Sequence, residues 1–211
     1  HIGKQDDPKS RKMSFYVSLK VFSAGLNLKE AQTYDIEAQS DVVNAFHECF
    51  LELYSFPKPL ICAVEGAAIA GGLFPVLCSD YRIAEERAQF GLAEVRVGVA
   101  FPVGLVEIVR AEVTQNAMRA MMLSGQPISA SAAEKAGIVD ELVPEGDALD
   151  RAMQVVVEYS QLPPQAYKTV KQQIRAPIIA ALNSEVTKAE TSVPKAWFTD
   201  ETEQAMSKMI R

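Results

Sequence analysis

The chain has 211 residues, 48% apolar and 23% charged, with 21 Lys+Arg set against 27 Asp+Glu for a net charge of −6. That length can bury a sizeable core, and this composition excludes a wholly disordered protein. An acidic balance without a basic run excludes a nucleic-acid binder, while two histidines and three cysteines spaced 13 and 16 apart disfavour zinc, disulfide and Ser-His-Asp chemistry.

In chain order, residues 1–12 read as a polar tail or an expression remnant, because HIGKQDDPKSRK has no apolar core of a signal peptide. Met13 to Phe22 alternates apolar and polar residues and is predicted as one strand, ending in the small-residue turn Ser23-Ala24-Gly25. Asp35 to Leu53 carries apolar residues at spacings of three and four and predicts a long helix, closed by Pro57 and Pro59. His47 in that helix reads as a structural residue. Leu60 to Val64 is the continuous apolar run of a strand buried on both faces. Ala67 to Leu77 is predicted as a buried helix opening at Gly71-Gly72, and Tyr81 to Ala84 as a further strand. The stretch Leu60–Cys78 is interrupted by Glu65, three glycines and Pro75, so it makes a poor membrane span. With free cysteines, a soluble cytoplasmic protein is the expectation.

From Pro102 onward helical periodicity dominates, over Val103–Val113, Thr114–Leu123, Ser129–Ala136 and Ala148–Tyr159. Ser129 is a plausible helix start and Gly137 a stop. Ile138 to Pro144 is an isolated strand, and Pro163 to Ile210 is expected to be helical throughout. Strands alternating with helices, then helices alone, predict an α/β architecture with parallel pairing. The expected division is the tail 1–12, an α/β core 13–144 and a helical C-terminal region 145–211.

Three short pieces can carry chemistry. Phe22-Ser23-Ala24-Gly25-Leu26 is a strand running into a small-residue turn, and Glu65 to Gly72 ends in a second such turn. Small residues leave backbone N–H groups open to a bound oxygen, and two that converge form an oxyanion hole. The third piece, Phe90-Gly91-Leu92-Ala93-Glu94, sets one carboxylate among apolar neighbours, where its pKa rises and it can exchange protons near neutrality. Each has a bland alternative: close packing for the glycines, and for Glu94 a pairing with Arg96.

The segments FSAGLNLKE, PKPLICAVEGAAIAGGLFPVLCSDYRIAEERAQFGLAEVRVGV and LSGQPISASAAEKAGIVDELVP closely resemble the crotonase superfamily, also called the enoyl-CoA hydratase/isomerase family. The resemblance covers residues 20 to 211. It implies a crotonase-like ββα spiral followed by a helical C-terminal trimerisation region, in a homotrimer or dimer of trimers. The implied substrate is an acyl-CoA thioester, with no separate cofactor and no metal. By resemblance, the N–H groups of Leu26 and Gly71 hold the thioester oxygen, Ala24 and Leu26 line the CoA site, and Gly72 and Phe74 join them as substrate-binding positions.

Hydratases of this family use two glutamates. The second matches Glu94, but the first is replaced by Phe74, followed by Pro75. Holding and activating a water calls for more than one carboxylate, whereas moving a double bond needs only one. The Δ3,Δ2-enoyl-CoA isomerase branch resembles this arrangement. Another isomerase branch places its carboxylate where this sequence has Pro102. The leading expectation is therefore conversion of 3-enoyl-CoA to 2-enoyl-CoA with Glu94 as proton shuttle. The rivals are a hydratase, for which Glu107 is the only other nearby carboxylate, and an acyl-CoA-binding member without turnover. Family members also carry a longer stretch before the SAG turn, so the front strands are expected to be missing.

Overall fold

A computed structural model describes residues 13–15, as backbone, and 21–210; the polar tail lies outside the described residues. Two four-stranded sheets share the chain between them. The first orders β1 (Met13–Phe15), β3 (Leu60–Val64), β5 (Tyr81–Glu85) and β8 (Glu141–Val143), all parallel. The second orders β2 (Val21–Ser23), β4 (Ala67–Ile69), β6 (Gln89–Gly91) and β7 (Ile128–Ser129), parallel except for the last pair. From β1 to β6 each passage of the chain leaves one strand in the first sheet and the next in the second, which gives the ββα spiral; β7 then stays in the second sheet and β8 returns to the first.

Of the single strand expected over Met13–Phe22, the described residues Met13–Phe15 and Val21–Ser23 pair into different sheets, and 16–20 lie outside the described residues. Ala67–Leu77 is not one helix. Ala67–Ile69 pairs between β2 and β6, Ala70–Gly72 forms a 3₁₀ turn, and only α3 (Phe74–Leu77) is helical. Its periodicity is ambiguous because a short buried run suits strand and helix equally.

Two short helices and one long one fill the front. After α1 (Leu28–Ala31), α2 (Ile36–Ser55) opens on Asp35, whose carboxylate accepts the Ala38 N–H at 2.9 Å. Behind the sheets come α4 (Val103–Glu112), α5 (Gln115–Ser124), α6 (Ala130–Lys135) and α7 (Ala148–Tyr159). Ser129 caps α6 by accepting the Ala132 N–H, as its position predicts. The C-terminal third is α8 (Pro164–Thr191) and α9 (Asp200–Met209), separated by a non-helical stretch. Uniform helix over 163–210 is thereby corrected. Among the described residues no helix is long and apolar enough to cross a membrane.

The strand β3 explains its own sequence. All five of its residues are buried, and Ile61 to Val64 serve two cores by strict alternation. Ile61 and Ala63 join Ile83 against Ala148, Ala152 and Val155 of α7, while Cys62 and Val64 join Ala84 in the main core. His47 is buried between α2 and α4, where its Nε2 accepts the Gly104 N–H at 3.4 Å. Burial lowers its pKa, in keeping with a neutral packing role. All three cysteines are free, and burial pushes the Cys62 and Cys78 thiols up to about 12.

A buried ionic cluster ties α8 to the sheet. Asp80, just before β5, accepts the Leu60 N–H at 2.8 Å and pairs with Lys171 at 2.6 Å and Arg175 at 3.0 Å. Arg175 also donates to the carbonyls of Tyr54 and Cys78 and lies 4.3 Å over the Tyr54 ring. The sheet, α2 and α8 thus meet at one carboxylate.

Candidate active site

The two small-residue turns meet face to face. Gly25 has φ +78°, and a Cβ placed on it would lie 3.0 Å from the Gly71 nitrogen. Ala70, immediately before Gly71, is a non-glycine residue at φ +52°, a conformation that costs an L-residue about 1–2 kcal/mol. Strained backbone of this kind concentrates where function over-determines the geometry. The N–H groups of Leu26 and Gly71 find no acceptor among the described residues. Two free donors beside one another can receive an oxygen that gains negative charge. Gly25→Ala is expected to cost about 1–2 kcal/mol through its left-handed backbone and to shift the Gly71 N–H. A lowered urea midpoint with an unchanged slope checks the stability half.

These turns form one side of a cavity of about 300 Å³. Ala24, Leu26 and Gly71 line it, together with Glu94. Every other lining residue is neutral, so among the described residues Glu94 is the one titratable group in the cavity wall. Gly72 is not on that wall: a Cβ there would lie 2.3 Å from the Ser23 carbonyl oxygen, so its smallness serves the packing of β2 against the turn. Phe74 is not there either. Its ring is fully buried and packs at 5.2 Å from Phe50 in the core. Four of the six sequence-predicted positions come together, and two support them from behind.

Glu94 opens a 3₁₀ turn, Glu94–Val97, that is gripped from two sides. Gly98 ends it at φ +71°; its carbonyl accepts the Thr202 hydroxyl of α9 at 2.7 Å. On the other side the stem of Arg96 lies across Gly125, at the end of α5. Arg96 is thus engaged elsewhere, and the suggested Glu94–Arg96 pair does not form. The Glu94 side chain is only 7% exposed and its Oε2 has no hydrogen-bond partner. Burial without a compensating cation raises its pKa to about 7. Glu107 is paired with Arg110 at 3.3 Å and takes no part in the cavity.

This carboxyl carries a stability cost that depends on pH. Unfolded, it titrates near 4.5; folded, near 7. Across that window the folded chain keeps a proton that the unfolded chain releases. Its contribution is thus intact below pH 4.5, and about 3 kcal/mol is lost as pH rises through 7. Glu94→Gln is expected to match the parent near pH 4.5 and to be more stable by up to that amount above pH 8. Denaturation midpoints across pH read the crossover.

Residues that the sequence did not single out complete the cavity. Phe46 comes from α2, Pro102 and Leu105 from the start of α4, and Trp197, Phe198 and Met206 from the C-terminal end. The only available signal was an aromatic Trp-Phe pair inside a polar stretch. Among the described residues, no group of three His, Cys, Asp or Glu forms that could hold a metal ion.

Comparison with known proteins gives this geometry its relatives. The profile of the enoyl-CoA hydratase/isomerase family matches residues 5–209. The chain is 31% identical over 156 residues to 2,3-dehydroadipyl-CoA hydratase of Escherichia coli (strain K12), covering 74% of this chain and 60% of that protein. It is also 31% identical over 158 residues to mitochondrial enoyl-CoA delta isomerase 1 of Mus musculus, covering 74% of this chain and 54% of that one. The chain thus spans between half and two thirds of the length of these relatives. The structure of human mitochondrial delta3-delta2-enoyl-CoA isomerase superposes with a TM-score of 0.76 at 26% identity, over 90% of this chain and 74% of that one. With nearly the whole chain matched, and the ββα spiral shared with solved members, the chain belongs to the enoyl-CoA hydratase/isomerase family.

Proposed function

We propose that this protein shifts the double bond of a 3-enoyl-CoA thioester to the 2-position. One observation carries the reading: a single buried carboxyl, Glu94, titrates near neutrality in an otherwise uncharged cavity beside two free backbone N–H groups. The Glu94 carboxylate takes a proton from C2, and the C–H electron pair delocalises into a dienolate. Its charge gathers on the thioester oxygen, which the N–H groups of Leu26 and Gly71 hold more strongly than the ground-state carbonyl. Glu94 then returns the proton at C4, leaving the double bond between C2 and C3. No atom is gained or lost, and no separate cofactor is called for.

The position that family hydratases fill with a second glutamate is a core phenylalanine here, which leaves an attacking water without its second carboxylate. The same reading carries self-association as a homotrimer or dimer of trimers, and a molar mass from light scattering tests it. The chemistry is tested by offering 3-enoyl-CoA and 2-enoyl-CoA and following the absorbance of the conjugated thioester. Conjugation gained from the first and lost in Glu94→Gln supports the proposal. Conjugation lost from the second identifies a hydratase, and binding without change identifies an acyl-CoA-binding protein.

A further inference from the structure

The C-terminal wall of the cavity is held by one side chain on a distant helix. Gln39, in the first turn of α2, is buried, and its Oε1 accepts the N–H groups of both Trp197 and Phe198 at 2.9 Å each. Its Nε2 donates to the Tyr34 carbonyl at 2.9 Å, which fixes which end of the amide faces the strap. Both lone pairs of the oxygen are therefore committed to a segment almost 160 residues away in the chain. The strap is anchored again where the Trp197 indole N–H donates to the Ala100 carbonyl at 2.8 Å. Its ring stands edge-on to Phe46 and stacks on Phe198, with centroids 6.2 and 5.4 Å apart.

The wall so fixed is aromatic and thioether in character, from Trp197, Phe198, Met206 and Met209. It offers no cation for phosphate, and it suits a hydrocarbon chain. We infer that Gln39 is a positioning residue that sets the acyl-chain selectivity of the site by holding Trp197 and Phe198 as its acyl-facing wall. This rests on the reading of the cavity as an acyl-thioester site. Among the described residues the Gln39 side chain hydrogen-bonds only to Tyr34, just before α2, and to Trp197 and Phe198, so the long-range pair of bonds is its distinctive contribution.

Trp197 is the only tryptophan in the chain, so its fluorescence reports the wall directly and without turnover. The test titrates saturated, unreactive acyl-CoAs of increasing chain length into the parent, Gln39→Leu and Gln39→Glu. Leucine keeps the bulk and removes the acceptor, leaving two N–H groups without a partner; glutamate keeps both acceptor sites. In the parent, long acyl chains are expected to change Trp197 emission and short ones to leave it. In Gln39→Leu the emission moves to longer wavelength, and the Kd of long-chain thioesters rises about tenfold while that of short ones changes little. Gln39→Glu restores the parent emission and length preference. A Gln39→Leu protein with unchanged emission and length preference overturns the inference, as does equal weakening for all lengths. A parent that binds no acyl-CoA defeats the reading of the cavity itself. A parent that binds without any response from Trp197 overturns this inference alone.

Discussion

Glu94→Gln is expected to lower turnover of a 3-enoyl thioester by about 10²–10⁴-fold, with thioester binding kept. Glutamine matches glutamate in size and can still sit in the 3₁₀ turn held by Thr202 and Gly125. What it cannot do is take a proton from C2 or deliver one to C4. Among the described residues Glu94 is the one titratable group on the cavity wall, so none of the lining side chains can substitute for it. The same assignment fixes the pH dependence. The carboxyl must begin ionised to remove the C2 proton, and its pKa lies near 7. In the parent, kcat/KM should therefore rise with pH through about 7 and level above it. Initial rates of conjugation between pH 5 and 9, for parent and variant, check both statements.

Asp80→Ala is expected to destabilise the fold by about 3–5 kcal/mol, the cost of removing one partner from a buried ion pair. The carboxylate serves three donors at once: the Leu60 N–H, the Lys171 ammonium and the Arg175 guanidinium. All three charged side chains are nearly enclosed. Alanine strands two cations under α8 with no counter-charge. Lys171 can relieve part of this by shedding its proton, since burial already lowers its pKa. Arg175 cannot. The loss should exceed that of Asp80→Asn, which keeps an oxygen for the Leu60 N–H. Urea titrations of the two variants measure the difference.

Much of this architecture was legible in the sequence because local pattern and tertiary demand agreed. The five-residue apolar run Leu60–Val64, bounded by Pro59 and Glu65-Gly66, has the length and flanks of a strand with two covered faces, and the apolar residues at spacings of three and four after Asp35 mark a helix. Legibility failed where the tertiary structure made the decision. Ala67–Ile69 has little β-propensity of its own and becomes a strand by filling the gap between β2 and β6. Residues 89–91 and 128–129 are too short to carry a period, and pairing alone defines them.

The site divides in the same way. Small residues at Ala24, Gly25 and Gly71 and a carboxyl among apolar neighbours at Glu94 were visible as local text. Gly72 and Phe74 stand beside them in sequence yet face the core, because the 3₁₀ turn at Ala70–Gly72 rotates successive residues away from the cavity. The aromatic wall was invisible for the opposite reason. Trp197 and Phe198 reach the cavity only through the return of the chain after α8, and no local pattern encodes that return.

In the proposed isomerisation one carboxyl, Glu94, carries a proton from C2 to C4. The most direct measurement uses a 3-enoyl thioester bearing two deuterons at C2, turned over in ordinary water and examined by NMR at low conversion. A single carboxyl that returns the proton before it exchanges with water predicts that part of the abstracted deuterium appears at C4 of the 2-enoyl product. Product with C4 free of deuterium even at the lowest conversion would contradict direct carriage of the proton from C2 to C4, since the C4 proton would then come from water.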